Sequence, residues 1–135
     1  RLIQARESAL PRELLQGVDA AFLSEEDIEL VGQEGFLEAL IEFVPTVAVT
    51  NGEHGCRIYS EGSWFEVGVF PVECLDPTGA GDTFAAGMSL GLAAGWNARD
   101  AARMGAAAAS VIVQGRGGEL LDQVGKAFER FPKIT

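Results

Sequence analysis

The chain has 135 residues, a length that suits one domain with a buried core. Apolar residues make up 47% of it and charged residues 22%, as in ordinary globular proteins. The net charge is −10 and the basic residues are scattered, which argues against nucleic acid as a partner. No run of residues has the apolar length of a membrane span or a signal peptide, so we expect a cytoplasmic protein that does not bind membranes.

The first part of the chain alternates helix and strand patterns. Residues 8–16 predict a short helix, and VDAAFL, residues 18–23, is a compact apolar run typical of a buried strand. Ser24 and Asp27 have the spacing of a capping box, which predicts a helix that begins there and ends at Gly32.

The next segments continue this alternation and then change character. Residues 36–43 place apolar side chains at helical spacing, and TVAVT, residues 46–50, is typical of a buried strand. Residues 56–70 predict a β-hairpin around the turn Glu61-Gly62. We therefore predict a single α/β domain over residues 1–135 that combines a parallel core with a hairpin.

Small residues dominate the two helices predicted over residues 83–94 and 98–113. Gly87, Gly91 and Gly95 recur every four residues, a spacing that allows one helix to approach its neighbour closely. A last amphipathic helix is predicted from about residue 120 to 131.

The sequence Gly79-Ala80-Gly81-Asp82 stands where a helix is about to begin. The first N–H groups of a helix are unpaired and lie at the positive end of its dipole, and glycine lets the backbone come close to a phosphate. A carboxylate in such a site would be repelled by the phosphate unless it accepts a proton from an attacking hydroxyl. The alternative is that Asp82 only stabilises the helix start through the dipole.

The segment LDPTGAGDTFAAG, residues 75–87, resembles the signature of the ribokinase-like (PfkB) carbohydrate kinase family, in which D-T-x-G-A-G-D is common. TNGEHG, residues 50–55, is similar to the upstream T-x-G-x-x-G nucleotide loop of that family. The resemblance implies a three-layer α/β/α fold with a mostly parallel sheet and a hairpin. It also implies ATP-dependent phosphorylation of a hydroxymethyl group on a sugar or a similar molecule.

The resemblance assigns roles to the glycine-rich turn and to the nucleotide loop. Asp82 matches the catalytic base, and the N–H groups of residues 79–82 match the anion hole. The residues of this hole are Gly79, Ala80, Gly81 and Asp82. The positions that match the ATP site are Thr50, Gly52, Gly55, Ala106 and Gly117.

The resemblance also implies metal ions beside ATP. A potassium site would comprise Asp76 and Thr78 together with the backbone of Ile112, Gly115 and Gly117. Asp27 takes the place of the glutamate in the Asn-x-x-Glu motif that organises Mg²⁺ in this family. The expected cofactors are therefore ATP, Mg²⁺ and K⁺, and the expected partners are a nucleotide and a small sugar substrate.

The chain is shorter than the usual form of the family and resembles its C-terminal, nucleotide-binding portion. We expect a fragment that lacks the acceptor-binding half, has little activity alone, and either pairs with that half or forms a homodimer. The alternative is a non-catalytic nucleotide-binding or assembly module that retains this fold.

Overall fold

A computed structural model describes residues 12–32, 35–116, 119–120, 122–124 and 126. The helices are α1 (Arg12–Leu15), α2 (Glu25–Val31), α3 (Phe36–Phe43), α4 (Ala80–Ala93) and α5 (Ala98–Ile112). The strands are β1 (Ala20–Ser24), β2 (Thr46–Thr50), β3 (Cys56–Ser60) and β4 (Ser63–Val67). A 3₁₀ turn, Gly52–His54, follows β2.

The four strands form one sheet in the order β1-β2-β3-β4. β1 and β2 are parallel with Ser24 opposite Thr50, whereas β3 is antiparallel to both β2 and β4. The α/β class is confirmed, but parallel pairing does not predominate among the described strands. The reason is that the described chain holds one strand-helix-strand unit, and the hairpin that follows reverses direction twice.

Helices cover both faces of the sheet, so the expected three-layer arrangement is confirmed. Val47 and Val49 of β2 point to one face and pack with Leu40 of α3. Ala48, between them, points to the other face and belongs to the same core as Phe84 of α4. This alternation follows from the two-residue period of a strand, and both faces of β2 are apolar because both are covered.

Gly87 and Gly91 bring α4 close to α5, as their spacing predicts, whereas Gly95 follows α4 and has nothing within 4 Å of an added Cβ. A Cβ added to Gly91 would lie 2.9 Å from the Cα of Ala101, and one added to Gly105 would lie 2.7 Å from the carbonyl oxygen of Phe84. Backbone atoms at such distances cannot give way cheaply, so only glycine fits. This contact holds the start of α4 beside the middle of α5.

Element boundaries differ from the sequence-based expectations at two places that matter for the site. Helix α4 begins at Ala80, three residues earlier than predicted, and β4 ends at Val67 instead of continuing to Phe70. Pro71, which has no N–H to donate to a ladder, follows that end. The predicted last helix lies mostly outside the described residues. Its residues 122–124 and 126 are described and are helical.

Among the described residues, no helix combines the length and the apolar character that crossing a bilayer requires.

Candidate active site

Helix α4 begins at a sharp turn of the backbone. Gly79 is the N-cap residue and has a φ of +82°, a left-handed conformation that glycine adopts without strain. Its carbonyl oxygen accepts hydrogen bonds from both the backbone N–H and the hydroxyl of Thr83, at 2.9 and 2.7 Å. These two hydrogen bonds from Thr83 therefore fix the first turn of α4.

Only some of the backbone N–H groups of this first turn donate hydrogen bonds. The N–H of Ala80 donates to the carbonyl oxygen of Pro77 at 3.1 Å. Within the described part of the chain, the N–H groups of Gly81 and Asp82 have no acceptor. Two donors at the positive end of a 14-residue helix remain available to an anion. The carboxylate of Asp82 is exposed in the same turn.

A cavity of about 420 Å³ opens beside this turn. Six of the predicted site residues line it, from four parts of the fold: Thr50, Gly52, Gly55, Ala80, Gly81 and Ala106. The fold thus brings together the end of β2, the loop after it, the start of α4 and the middle of α5. Gly79 and Asp82 are not lining residues, but they directly flank the segment that is.

The loop after β2 is closed by its own hydrogen bonds. The N–H of Asn51 donates to the carbonyl of Gly55 at 2.7 Å, and the N–H of Gly55 donates to the carbonyl of Gly52 at 3.2 Å. Gly55 has a φ of +90°, and a Cβ on it would lie 2.5 Å from the carbonyl oxygen of Val67. The loop is therefore held against the end of β4.

One wall of the cavity was not predicted from the sequence. From the last residue of β4 onward, the chain runs along the cavity and contributes to its lining Val67, Gly68, Val69, Phe70, Val72 and Cys74. Val69 and Val72 are 48% and 39% exposed, so this wall presents apolar side chains to solvent. An apolar run that contains Gly68 and Pro71 was the available signal, because such a run cannot continue as a regular strand.

Cys56 lies in the same lining but is suited to packing and not to nucleophilic chemistry. Its thiol is buried and lies 3.7 Å from the carbonyl oxygen of Val67. Burial raises the pKa of this thiol to about 11, and the hydrogen bond to the Val67 backbone only partly opposes that effect. At neutral pH the group stays protonated, and the thiolate that a nucleophile needs is not formed.

The loop that precedes α4 is attached to the end of α5. The side chain of Asp76 accepts a hydrogen bond from the N–H of Thr78 at 3.0 Å. The N–H groups of Leu75 and Asp76 both donate to the carbonyl oxygen of Val113, at 2.8 and 3.1 Å. The two side chains predicted for the cation site therefore lie beside the C-terminal end of α5.

The backbone positions predicted for the same cation site are partly described. The N–H of Gly115 donates to the carbonyl of Ile112 at 3.4 Å, one residue before the carbonyl that holds the loop. Gly117 lies outside the described residues. The structure thus brings Asp76, Thr78, Ile112 and Gly115 to one place.

Asp27, predicted to organise Mg²⁺, takes part in the capping box of α2. Its carboxylate accepts from the N–H of Ser24 at 2.9 Å, while the hydroxyl of Ser24 accepts from the N–H of Asp27 at 3.0 Å. The hydroxyl of Thr50 donates to the carbonyl of Leu23 at 3.4 Å, so this box and the loop after β2 adjoin at one sheet edge. No cluster of three or more metal-binding side chains exists in the described ranges.

Comparison with known proteins identifies the same family that the signature resembles. Residues 3–123 match the model of the pfkB family carbohydrate kinases. The inositol 3-kinase of Zea mays is 51% identical over 59 residues, which are 44% of this chain and 16% of that protein. A nucleoside kinase of Methanothermobacter thermautotrophicus is 35% identical over 97 residues, 70% of this chain and 31% of the relative.

A solved structure supports the fold as well as the sequence match. The Arabidopsis thaliana ribokinase complexed with ribose and ATP superposes with a TM-score of 0.71 at 25% identity. The match covers 94% of this chain and 45% of that one. The chain therefore spans less than half the length of the kinases that it resembles.

Proposed function

Because this chain belongs to the pfkB family of carbohydrate kinases, we propose that it forms the nucleotide-binding and phosphoryl-transfer part of an ATP-dependent kinase. The acceptor is a hydroxyl group of a sugar or a sugar-like molecule, including a nucleoside or a cyclic polyol. The observation that carries the proposal is the cavity that joins the loop after β2 to the first turn of α4, where the N–H groups of Gly81 and Asp82 are unused.

In the proposed reaction the oxygen of the acceptor hydroxyl forms a bond to the γ-phosphorus of ATP. The bond from that phosphorus to the bridging oxygen breaks, and ADP leaves with the electron pair. The carboxylate of Asp82 accepts the proton of the hydroxyl. The N–H groups of Gly81 and Asp82 hold the negative oxygens of the transferring group, which a helix N-terminus favours.

Metal ions have defined positions in this proposal. Mg²⁺ bound to the phosphates of ATP neutralises charge that develops during transfer. The described residues contain no three-ligand cluster, so phosphate oxygens and water would supply most of its ligands, and Asp27 is the carboxylate predicted to help orient them. Asp76, whose N–H donates to the carbonyl of Val113 at the end of α5, and Thr78, whose N–H donates to Asp76, would hold K⁺ behind the turn.

The acceptor pocket is assigned to residues outside this chain, because the chain spans less than half of its relatives. One named relative acts on inositol and another on nucleosides. Holding an acceptor in line contributes about 7–11 kcal/mol to catalysis. We therefore expect the chain alone to bind Mg·ATP and to phosphorylate acceptors poorly.

The substitution Gly81→Ala tests the proposed contact with the phosphates. A Cβ at Gly81 meets nothing within 4 Å, and alanine favours a helix over glycine by about 0.5–1 kcal/mol. The variant should be at least as stable as the parent chain and yet bind Mg·ATP about tenfold more weakly, a loss of about 1.4 kcal/mol. Calorimetry with Mg·ATP measures an affinity that includes the phosphate contacts. Calorimetry with adenosine, which has no phosphate, measures the affinity of the cavity for the nucleoside alone.

The matched control is Ser89→Ala, an exposed position on the same helix, which should leave both affinities unchanged. Unchanged Mg·ATP affinity in folded Gly81→Ala would contradict the role of the turn. If the parent chain binds neither ATP nor ADP, the nucleotide site itself is wrong. If the chain binds nucleotide but a longer protein that contains it transfers no phosphate, the non-catalytic module is correct instead.

A further inference from the structure

Helix α2, which carries Asp27, is only weakly packed. It has seven residues, Glu25–Val31, and none of them is buried. Ile28 is half-buried against the core on the α3 side of the sheet, whereas Leu30 is 76% exposed. Because isolated helices of two turns are marginal in water, the position of α2 depends on its contacts with other elements. The capping box joins residues only three apart, so it does not fix the helix against the rest of the sheet.

Arg57 of β3 connects the first turn of α2 to the sheet. Its Nη2 atom donates to Oε1 of Glu25, the first residue of α2, at 2.7 Å. The two residues are 32 positions apart, and their side chains are only 39% and 36% exposed. Arg57 lies opposite Val49 of β2, and its guanidinium lies over the Trp64 ring of β4, 5.1 Å from the ring centre. The ring and the carboxylate together fix a guanidinium that reaches from β3 to the start of α2.

Stability alone does not account for an arginine at this position. Val49 is buried and shares a face of the sheet with Arg57, so an apolar side chain in place of the arginine would extend the same core. The Nε atom of Arg57 is shielded from solvent and has no hydrogen-bond partner among the described residues, which opposes folding. Replacement of a largely desolvated ion pair by apolar side chains is often neutral or stabilising. The pair therefore points to a role outside the stability of the fold.

Asp27 has a carboxylate oxygen that is available to a metal ion or to its bound water. The Oδ2 atom accepts from the N–H of Ser24 at 2.9 Å, and within the described part of the chain no hydrogen bond reaches the second oxygen. The side chain is exposed, and its turn adjoins the loop after β2 through the hydrogen bond from Thr50 to Leu23. Carboxylate oxygens bind Mg²⁺ directly or through its water ligands, so Asp27 fits the role that the proposed function gives it.

We propose that Arg57 is a positioning residue for the nucleotide site. By holding Glu25 it keeps the first turn of α2, and with it the carboxylate of Asp27, beside the loop after β2. Asp27 then occupies its place before Mg·nucleotide binds, so less ordering accompanies binding. Arg57 is not among the described residues that line the cavity, and it therefore acts through Glu25 and Asp27. The inference rests on the proposed function, because it requires that the cavity binds Mg·nucleotide.

The test compares the affinity of the chain for ADP with and without Mg²⁺ by calorimetry. The measured quantity is the metal dependence, which is the ratio of the Kd in EDTA to the Kd in excess Mg²⁺. Arg57→Gln should lower this ratio about threefold, the size expected for a partly exposed ion pair, and leave the Kd in EDTA unchanged. Arg57→Lys keeps the charge opposite Glu25 and should restore most of the ratio. A merely structural role would change both Kd values alike.

Glu25→Gln separates positioning from simple electrostatics. Loss of the Arg57 charge makes the surroundings of Mg²⁺ more negative and loss of the Glu25 charge makes them less negative, so electrostatics alone would move the ratio in opposite directions. Positioning requires that both single variants lower the ratio and that the double variant lowers it no further. The matched control is Arg99→Gln, which removes the same charge from an arginine that lies 4.4 Å from the Phe65 ring on the other face of the sheet, and it should leave the ratio unchanged.

Three results would overturn the role of Arg57 and leave the proposed function intact. They are an unchanged ratio in folded Arg57→Gln, ratios that move in opposite directions in the two single variants, and equal losses of affinity with and without metal. If Arg57→Gln does not fold, Glu25→Gln decides, because it removes the same contact. A parent chain that binds ADP equally well with and without Mg²⁺ would overturn the assignment of Asp27 and this proposal with it. A parent chain that binds no ADP would contradict the nucleotide site itself.

Discussion

The α-carbon of Gly55 lies so close to Val67 that a Cβ on the glycine would be 2.5 Å from the Val67 carbonyl oxygen. This contact joins the loop after β2 to the start of the cavity wall that the sequence analysis missed. The close approach and the φ of +90° act at the same residue, so two independent constraints require glycine there.

We expect Gly55→Ala to lower the free energy of unfolding by more than about 2 kcal/mol, because both the left-handed conformation and a backbone clash oppose the new Cβ. Gly52→Ala is the matched control, since Gly52 has a φ of +55° and nothing within 4 Å of an added Cβ. Its cost should be about 1 kcal/mol. Equal costs in urea unfolding would mean that the contact with Val67 is not a constraint.

The substitution Asp82→Asn tests whether Asp82 is a catalytic base or only stabilises the start of the helix. In a protein that contains this sequence together with the acceptor-binding residues, transfer should fall by about 10²–10⁴, the usual contribution of a general base. Affinity for ATP should change little, because asparagine keeps the size of the side chain. Loss of a negative charge near the phosphates does not weaken their binding. Measurement of kcat and of the ATP Kd on one preparation checks both.

Asp19→Asn, at an exposed position before β1, controls for the loss of one negative charge. A kcat within about tenfold of the parent value in Asp82→Asn would contradict the role of this residue as a base.

The two cysteines should differ in reactivity. Cys74 is exposed and lines the cavity, whereas Cys56 is buried in the same lining with a raised pKa. A thiol reagent at pH 8 should label one cysteine in the native chain, and mass spectrometry should place the label on Cys74. Saturation with Mg·ATP should slow that labelling. Fast labelling of Cys56 in the folded chain would contradict its burial.

Stability should fall in alkaline solution because of Cys56. Its pKa rises from 9.0 to about 11 on folding, so the protonated thiol is favoured in the folded state. The stabilisation is complete below pH 9 and is lost as pH rises from about 9 to about 11, because only the unfolded chain then releases the proton.

The free energy of unfolding should therefore decrease over this range by up to about 2 kcal/mol. Cys56→Ala should lack that part of the decrease, whereas Cys74→Ala should retain it. Parallel pH profiles for the parent chain and Cys56→Ala would show that the thiol is not the cause.

Local patterns in the sequence predicted much of the fold and part of the candidate site. The capping box of Ser24 and Asp27 depends on residues three apart, and β2 is apolar on both faces, so neither required knowledge of distant contacts. The glycine-rich turn before α4 was recognised for the same reason: φ values and unpaired N–H groups at a helix start are set by neighbouring residues.

Tertiary structure decided which segments share the cavity. Residues 68–74 are irregular and mostly apolar, and the contact of Gly55 with Val67 helps to place them in the same cavity lining as Gly81 and Ala106. A sequence determines short-range hydrogen bonding and periodicity directly. Contacts between distant segments depend on how the whole core packs, and local sequence patterns do not predict that packing.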